Sequence, residues 1–185
     1  LQAMAIPDAN DPYSRVMPTG ALGAAPSSLV IAVPDANGRL FFGDKQSEQS
    51  FDTAISLLKN MGMTIREIDI APLLETARLL YEGPWVAERY AAVGAFIEAN
   101  ADKVHPVTRE IILGGAKISS ADTFRSFYRL AALKRTALEM FSGFDMLMVP
   151  TVPAAYTTAQ LAADPIALNS NLGTYTNFVN LLDLC

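Results

Sequence analysis

Apolar residues along this chain switch between continuous runs and helical intervals, and each switch marks an element. Leu29-Val30-Ile31-Ala32-Val33 is an unbroken β-favouring run stopped by Pro34, which predicts a strand covered on both faces. After a turn around Asp35-Ala36-Asn37-Gly38, the residues Phe51, Ala54, Ile55, Leu58 and Met61 recur at helical spacing. Gly62 follows as a C-terminal stop. Residues 63–70 read as a second strand. Their alternation slips between Ile65 and Ile68, which predicts a bulge or a short strand.

The middle of the chain reads as helical. A helix from about Ala71 should end at Gly83, and Pro84 suits the first position of the next helix, where its missing N–H has no partner to lose. Pro106 is placed to open another in the same way. Ser119 and Asp122 resemble a capping box, after which Phe124, Phe127, Tyr128, Ala131, Leu138 and Phe141 mark the predicted inner face of a long helix. Residues 144–149 form a third buried-strand candidate, ended by Pro150 and Pro153. Residues 7–28, rich in Pro, Asp, Ser, Gly and Ala without an apolar period, read as a long surface connection. Strands alternating with helices imply an α/β layer structure. There is no internal repeat and no low-complexity tract.

Composition narrows the partners. Of the 185 residues 51% are hydrophobic and 18% charged, against roughly 25% charged in an average soluble domain. Such a chain can build one sizeable core and still carry apolar surface for a neighbouring domain. With a net charge of −5 and scattered basic residues, nothing tracks a phosphate backbone, so nucleic acid is not an expected partner. No apolar run approaches the 18 or so residues that span a bilayer, so no membrane is expected either. A single cysteine rules out an internal disulfide framework and fits a reducing compartment, for which the cytoplasm is the default. The chain starts without methionine and stops inside the apolar run Leu181-Leu182-Asp183-Leu184-Cys185. Natural domain ends are usually polar, so this reads as a piece of a larger fold.

Few residues carry chemistry, and each has a structural competitor. His105 is the only histidine, so no histidine metal cluster exists and any serine–histidine triad would need it; beside Pro106 it reads as a helix start. Cys185, in its apolar run, reads as a small buried hydrophobe rather than a nucleophile. Arg125, Arg129, Lys134 and Arg135 lie mainly opposite the expected inner face of their helix and read as a solvated surface. Tyr81 and Arg89 flank the Gly83-Pro84 break, so both can point into a cleft at the junction. The guanidinium fork suits a carboxylate and the tyrosine adds a neutral hydroxyl donor. On the pattern alone, a local ion pair from Arg89 to Glu82 or Glu88 is the plainer reading.

The segment 79–93, LLYEGPWVAERYAAV, and the segment 167–185, ALNSNLGTYTNFVNLLDLC, resemble the allophanate hydrolase branch of the amidase signature family. The likeness extends over DPYSR (residues 11–15), HPVTR (105–109) and VPT (149–151), and so over essentially the whole chain. YEGPWVAER and LGTYTNFVNLLDL are specific to this branch, whereas VPT is general to amidases. The resemblance implies α/β/α layers around a mixed sheet, no metal or organic cofactor, and homodimerisation. It also implies hydrolysis of allophanate to ammonia and carbon dioxide. The family acts through a lysine, a bridging serine and a nucleophilic serine in a glycine- and serine-rich stretch that no segment here resembles. The chain is thus expected to be a C-terminal portion of an amidase domain, without the nucleophile and packed against the remainder of that domain.

Within that portion the expected parts are a surface connection (1–28), a strand-helix-strand unit (29–70), a helical substrate wall (71–142) and a strand, loop and final helix (143–185). In allophanate hydrolases the tyrosine and arginine of YEGPWVAER contact substrate, which assigns that role to Tyr81 and Arg89 and reverses the plainer reading of Arg89. Two alternatives stay open. A general amidase on another amide would keep VPT without requiring YEGPWVAER, and a non-catalytic small-acid-binding α/β module would need no Ser/Lys constellation upstream.

Overall fold

The computed structural model describes residues 6–16, 23 and 26–184. Within residues 6–28 the described positions form neither helix nor strand; the rest of that stretch, and Cys185, fall outside the described residues.

The first apolar run forms β1 (Val30–Pro34), followed by α1 (Lys45–Asn60) and β2 (Thr64–Ile68). The helix begins where the Asp44 carboxylate accepts from the amides of Gln46 and Ser47 and ends at Gly62, whose φ of +87° favours glycine. Strand β2 runs parallel to β1 in unbroken register from Val30↔Thr64 to Pro34↔Ile68. The slipped alternation therefore resolves as a short strand, without a bulge. A third parallel strand, β3 (Met146–Leu147), pairs with the other edge of β1, giving the order β2-β1-β3. It is shorter than the predicted 144–149. On one side the Asp145 carboxylate takes the Val30 amide at 2.7 Å, in place of a ladder carbonyl, and on the other Pro150 has no N–H to give.

The central strand is covered on both faces, as its unbroken apolar run predicts, with Ala32 and Val33 fully buried. Val33, Ile65 and Met148 point to one face and meet Phe41, Phe51 and Ile55 from α1 and the turn before it. Ile68 and Leu147 point to the other, where a larger core gathers helices α2 (Ala71–Glu82), α5 (Ser120–Phe141) and α8 (Asn177–Leu182). The result is an α/β/α arrangement around a small parallel sheet. Between these lie α3 (Trp85–Ala99), α4 (Pro106–Gly114), α6 (Thr158–Ala163) and α7 (Ala167–Leu172). Pro106 opens α4 as expected, while Pro84 sits one place earlier than expected, at the N-cap of α3. No helix among the described residues is long and apolar enough to cross a membrane.

The inner face of α5 differs from the predicted one. Leu130, Leu133 and Ala137 are buried, whereas Phe124, Phe127, Tyr128 and Leu138 are about half to three-quarters exposed. The helix carries two neighbouring apolar stripes. The spacing marks the aromatic one, but only the stripe of Leu130, Leu133 and Ala137, facing α2 and α8, meets this core, leaving Phe124 and Tyr128 at the surface. The basic residues behave as a solvated face should: Arg125 pairs with Asp122 at 2.8 Å and Arg129 with Glu75, both at the surface.

Candidate functional site

The corner between α2 and α3 is built by two residues. Gly83 ends α2 with its amide on the Leu79 carbonyl at 2.8 Å. A Cβ at this position would lie 2.5 Å from that same oxygen and 3.0 Å from the Trp85 ring, so the tight approach demands glycine. Pro84 then starts α3 immediately, and Arg89 is carried back toward the last turn of α2. Its guanidinium carbon stands 5.0 Å from the centroid of the Tyr81 ring. The structure thus brings together the two residues singled out from the sequence.

No carboxylate pairs with Arg89 among the described residues; neither Glu82 nor Glu88 does so. Stacking on a partly exposed ring contributes about 0.5–1 kcal/mol, enough to orient the fork while leaving its N–H donors unspent. Tyr81 is 39% exposed and forms, with Glu82 and Ser170, a ridge shared by two clefts. One, of about 290 Å³, runs between α2 and the α7–α8 region and is floored by Leu40, Leu74 and Ala77. The other, of about 430 Å³, is lined by Val86, Ile111, Ile118 and Asn169. Charged residues line both clefts, Arg78 and Glu82 the first and Glu82 and Glu110 the second, while Arg89 lines neither and meets them through the Tyr81 ring. No group of three or more His, Cys, Asp or Glu is placed for a metal among the described residues.

The other family-like stretches are engaged structurally. In DPYSR, Arg15 grips Asp183 through both guanidinium NH groups, and this contact holds the Asp183 carboxyl below its ordinary range. In HPVTR, Arg109 donates to the Ala101 carbonyl at 2.7 Å, and His105 is an exposed N-cap whose side chain makes no capping bond. The loop after VPT docks on α1, where the Asp44 carboxylate accepts from Ala155 N–H at 2.9 Å. That bond and those from Ser47 lower the Asp44 pKa. In the closing stretch Tyr175 is fully buried, its hydroxyl donating to the Gly38 carbonyl and accepting from Leu40 N–H, both at 2.7 Å. Burial raises its pKa, against the opposing Leu40 bond. Sequence reasoning assigned no role to Tyr175 or to Asn177, which lines the 290 Å³ cleft.

The α2–α3 corner thus sets an arginine–tyrosine pair beside two clefts of an α/β/α layer. The chain belongs to the Amidase family, whose model matches residues 1–185. Its relatives include the urea amidolyases of Lachancea kluyveri, 39% identical over 186 residues, and of Saccharomyces cerevisiae, 39% identical over 177. These alignments cover 99% and 95% of this chain but 10% of each relative, so the chain spans about a tenth of their length. Among solved structures, Kluyveromyces lactis allophanate hydrolase superposes with a TM-score of 0.91 at 36% identity, over 98% of this chain and 30% of that one. The urea amidolyase of the same organism gives 0.92 at 37%, over 98% and 11%. The glutamyl-tRNA(Gln) amidotransferase of Thermotoga maritima, at 19% identity and a TM-score of 0.52 over 83% of this chain and 33% of that one, shares the fold alone.

Proposed function

We propose that this chain is the substrate-recognising part of an allophanate-hydrolysing amidase, in which Arg89 reads the carboxylate and Tyr81 orients and supplements it. The observation that carries this reading is the guanidinium lying 5.0 Å from the Tyr81 ring centroid with no carboxylate partner among the described residues. Allophanate is a carboxylated urea and an anion at neutral pH. An enzyme that prefers it to urea or a simple amide needs a cation with planar, bidentate geometry. The bond-breaking serine and lysine of the family would come from elsewhere in the parent polypeptide, whose remaining sheet would pack along β3. Exposed Met146 and an apolar groove of about 510 Å³ beside Leu147 and Phe178 support that placement. We therefore expect the 185-residue chain alone to release no ammonia from allophanate; turnover by the purified fragment would return His105 and Cys185 to consideration.

The test is made in the full-length enzyme carrying this region. Arg89→Ala is expected to lower kcat/KM on allophanate by about one to two orders of magnitude, since a charge-assisted hydrogen bond contributes about 1.5–3 kcal/mol. A neutral amide should be spared. Lysine should rescue poorly, lacking the fork, and Tyr81→Phe should cost about tenfold or less. Equal losses on charged and neutral substrates, together with a lowered melting temperature, would assign Arg89 to the fold and not to the carboxylate.

A further inference from the structure

Asn177, the first residue of α8, is half-buried and lines the same 290 Å³ cleft as Tyr81. Of its polar neighbours on that wall, Ser170 donates to the Ile166 carbonyl at 2.8 Å and Thr174 to the Asn171 carbonyl at 2.7 Å, while Arg78 and Glu82 supply the charged groups of the cleft. The carboxamide of Asn177 makes no such bond among the described residues. Space for it is kept by Gly173, where a Cβ would fall 2.4 Å from Asn177 Nδ2 and 2.7 Å from Oδ1. The backbone of Gly173, at φ −84° and ψ −1°, is open to any residue. Glycine therefore gives clearance to the Asn177 amide here and is not demanded by a turn.

A carboxamide presents N–H donors and a carbonyl acceptor in one plane, the complement of another amide or of a urea edge. Arginine has no acceptor to offer such a group. The cation on α3 can read the charged end of a substrate, but the neutral ureido end needs a partner that both gives and takes hydrogen bonds. We infer that Asn177 is a further substrate-binding residue, pairing with the ureido N–H and C=O groups of the substrate, and that Gly173 is a positioning residue holding space for it. This rests on the reading of the Tyr81 cleft as the substrate site.

The experiment compares Asn177→Ala, Gly173→Ala and the double variant in the full-length enzyme, on allophanate and on a neutral amide. Asn177→Ala is expected to lower kcat/KM about tenfold on both substrates, because both carry the amide edge. Gly173→Ala leaves Asn177 in the sequence but displaces its amide, and should produce a similar loss with an unchanged melting temperature. In the Asn177→Ala background, Gly173→Ala should add nothing, since it acts through the missing amide. Full efficiency in either single variant would overturn the inference, as would an undiminished cost of Gly173→Ala in that background. Should Asn177→Ala not fold, Gly173→Ala with Asn177→Asp decides, because the acid keeps the shape and loses the donors. Failure of the carboxylate reading looks different: it appears as equal losses on both substrates for Arg89→Ala and leaves the Asn177 and Gly173 results untouched.

Discussion

The α2–α3 corner and the closing stretch around α8 both carry family-like sequence, yet their physics is opposite. Around α8, Tyr175 and Phe178 are essentially fully buried, and the tyrosine hydroxyl is bonded on both sides. At the corner, Tyr81 is 39% exposed and Arg89 rests on a ring with its donors unspent. Where every group is satisfied internally, a motif encodes packing. Where a charged fork is oriented but unpaired among the described residues, its donors are available to a ligand. Substitutions of the buried Tyr175 and Phe178 should therefore cost stability, whereas those at the corner, like that of the Asn177 amide left unbonded among the described residues, should cost activity.

The largest effect expected from this contrast is that of Phe178→Ala, which empties the site of a ring that is 1% exposed. A cost of about 3–5 kcal/mol is expected, seen as a large fall in melting temperature or as loss of folded protein; a benign outcome would break the contrast on the core side. Next comes Tyr175→Phe, which keeps the ring but strips the Gly38 carbonyl and Leu40 amide of their partner. About 1–3 kcal/mol is expected, with accelerated hydrogen exchange at the Leu40 amide as the local signature. Arg89→Ala, by contrast, should change stability by about 1 kcal/mol or less, the worth of the stacking contact.

The smallest effect concerns the Arg15–Asp183 grip at the surface. Asp183 has its pKa lowered in the folded protein from an ordinary 3.8, first by the side-chain hydrogen bond from Arg15. A depressed carboxyl contributes stability that is fully present above the unfolded pKa and is lost as pH falls through the folded one. Asp183→Asn should thus melt below the parent chain near neutral pH, and the two should converge as pH falls below about 4. Asparagine tolerates the left-handed backbone at this position, φ +59°, so the comparison isolates the charge. A difference unchanged by pH would refute the assignment.

Much of the architecture was legible in the sequence because it is encoded locally. Pro34, Gly62, Gly83 and Pro106 punctuate the chain where elements stop or start, and the Ser119 side chain caps α5 as its spacing to Asp122 suggests. The Tyr81–Arg89 meeting was also legible, since a single sharp corner separates them. What was not legible depends on distant partners. The hydroxyl of Tyr175 is satisfied by residues 135 and 137 positions away, and nothing near it announces that. The outward turn of Phe124 and Tyr128 depends on where α2 and α8 lie, which spacing within α5 cannot reveal. The room Gly173 leaves for Asn177 had a faint local trace, since the pair lies four residues apart, but glycine has too many other uses for that trace to stand alone.

The strand order β2-β1-β3 also bears on how the chain finds its shape. Strand β1 meets β2 after a span of 34 residues and β3 after a span of 115. Loop-closure entropy rises with the logarithm of the span, so the second pairing costs about 1 kcal/mol more to close. It also has only two strand residues to offset that cost. The β1–α1–β2 unit is therefore expected to assemble first, as a nucleus of local contacts, with β3 joining after the helices between them have gathered. Pulse-labelling hydrogen exchange during refolding would show this as early protection of the β1–β2 amides and late protection of Met148 N–H, which bonds to the Ala32 carbonyl. Simultaneous protection would instead mean that the sheet forms in one step.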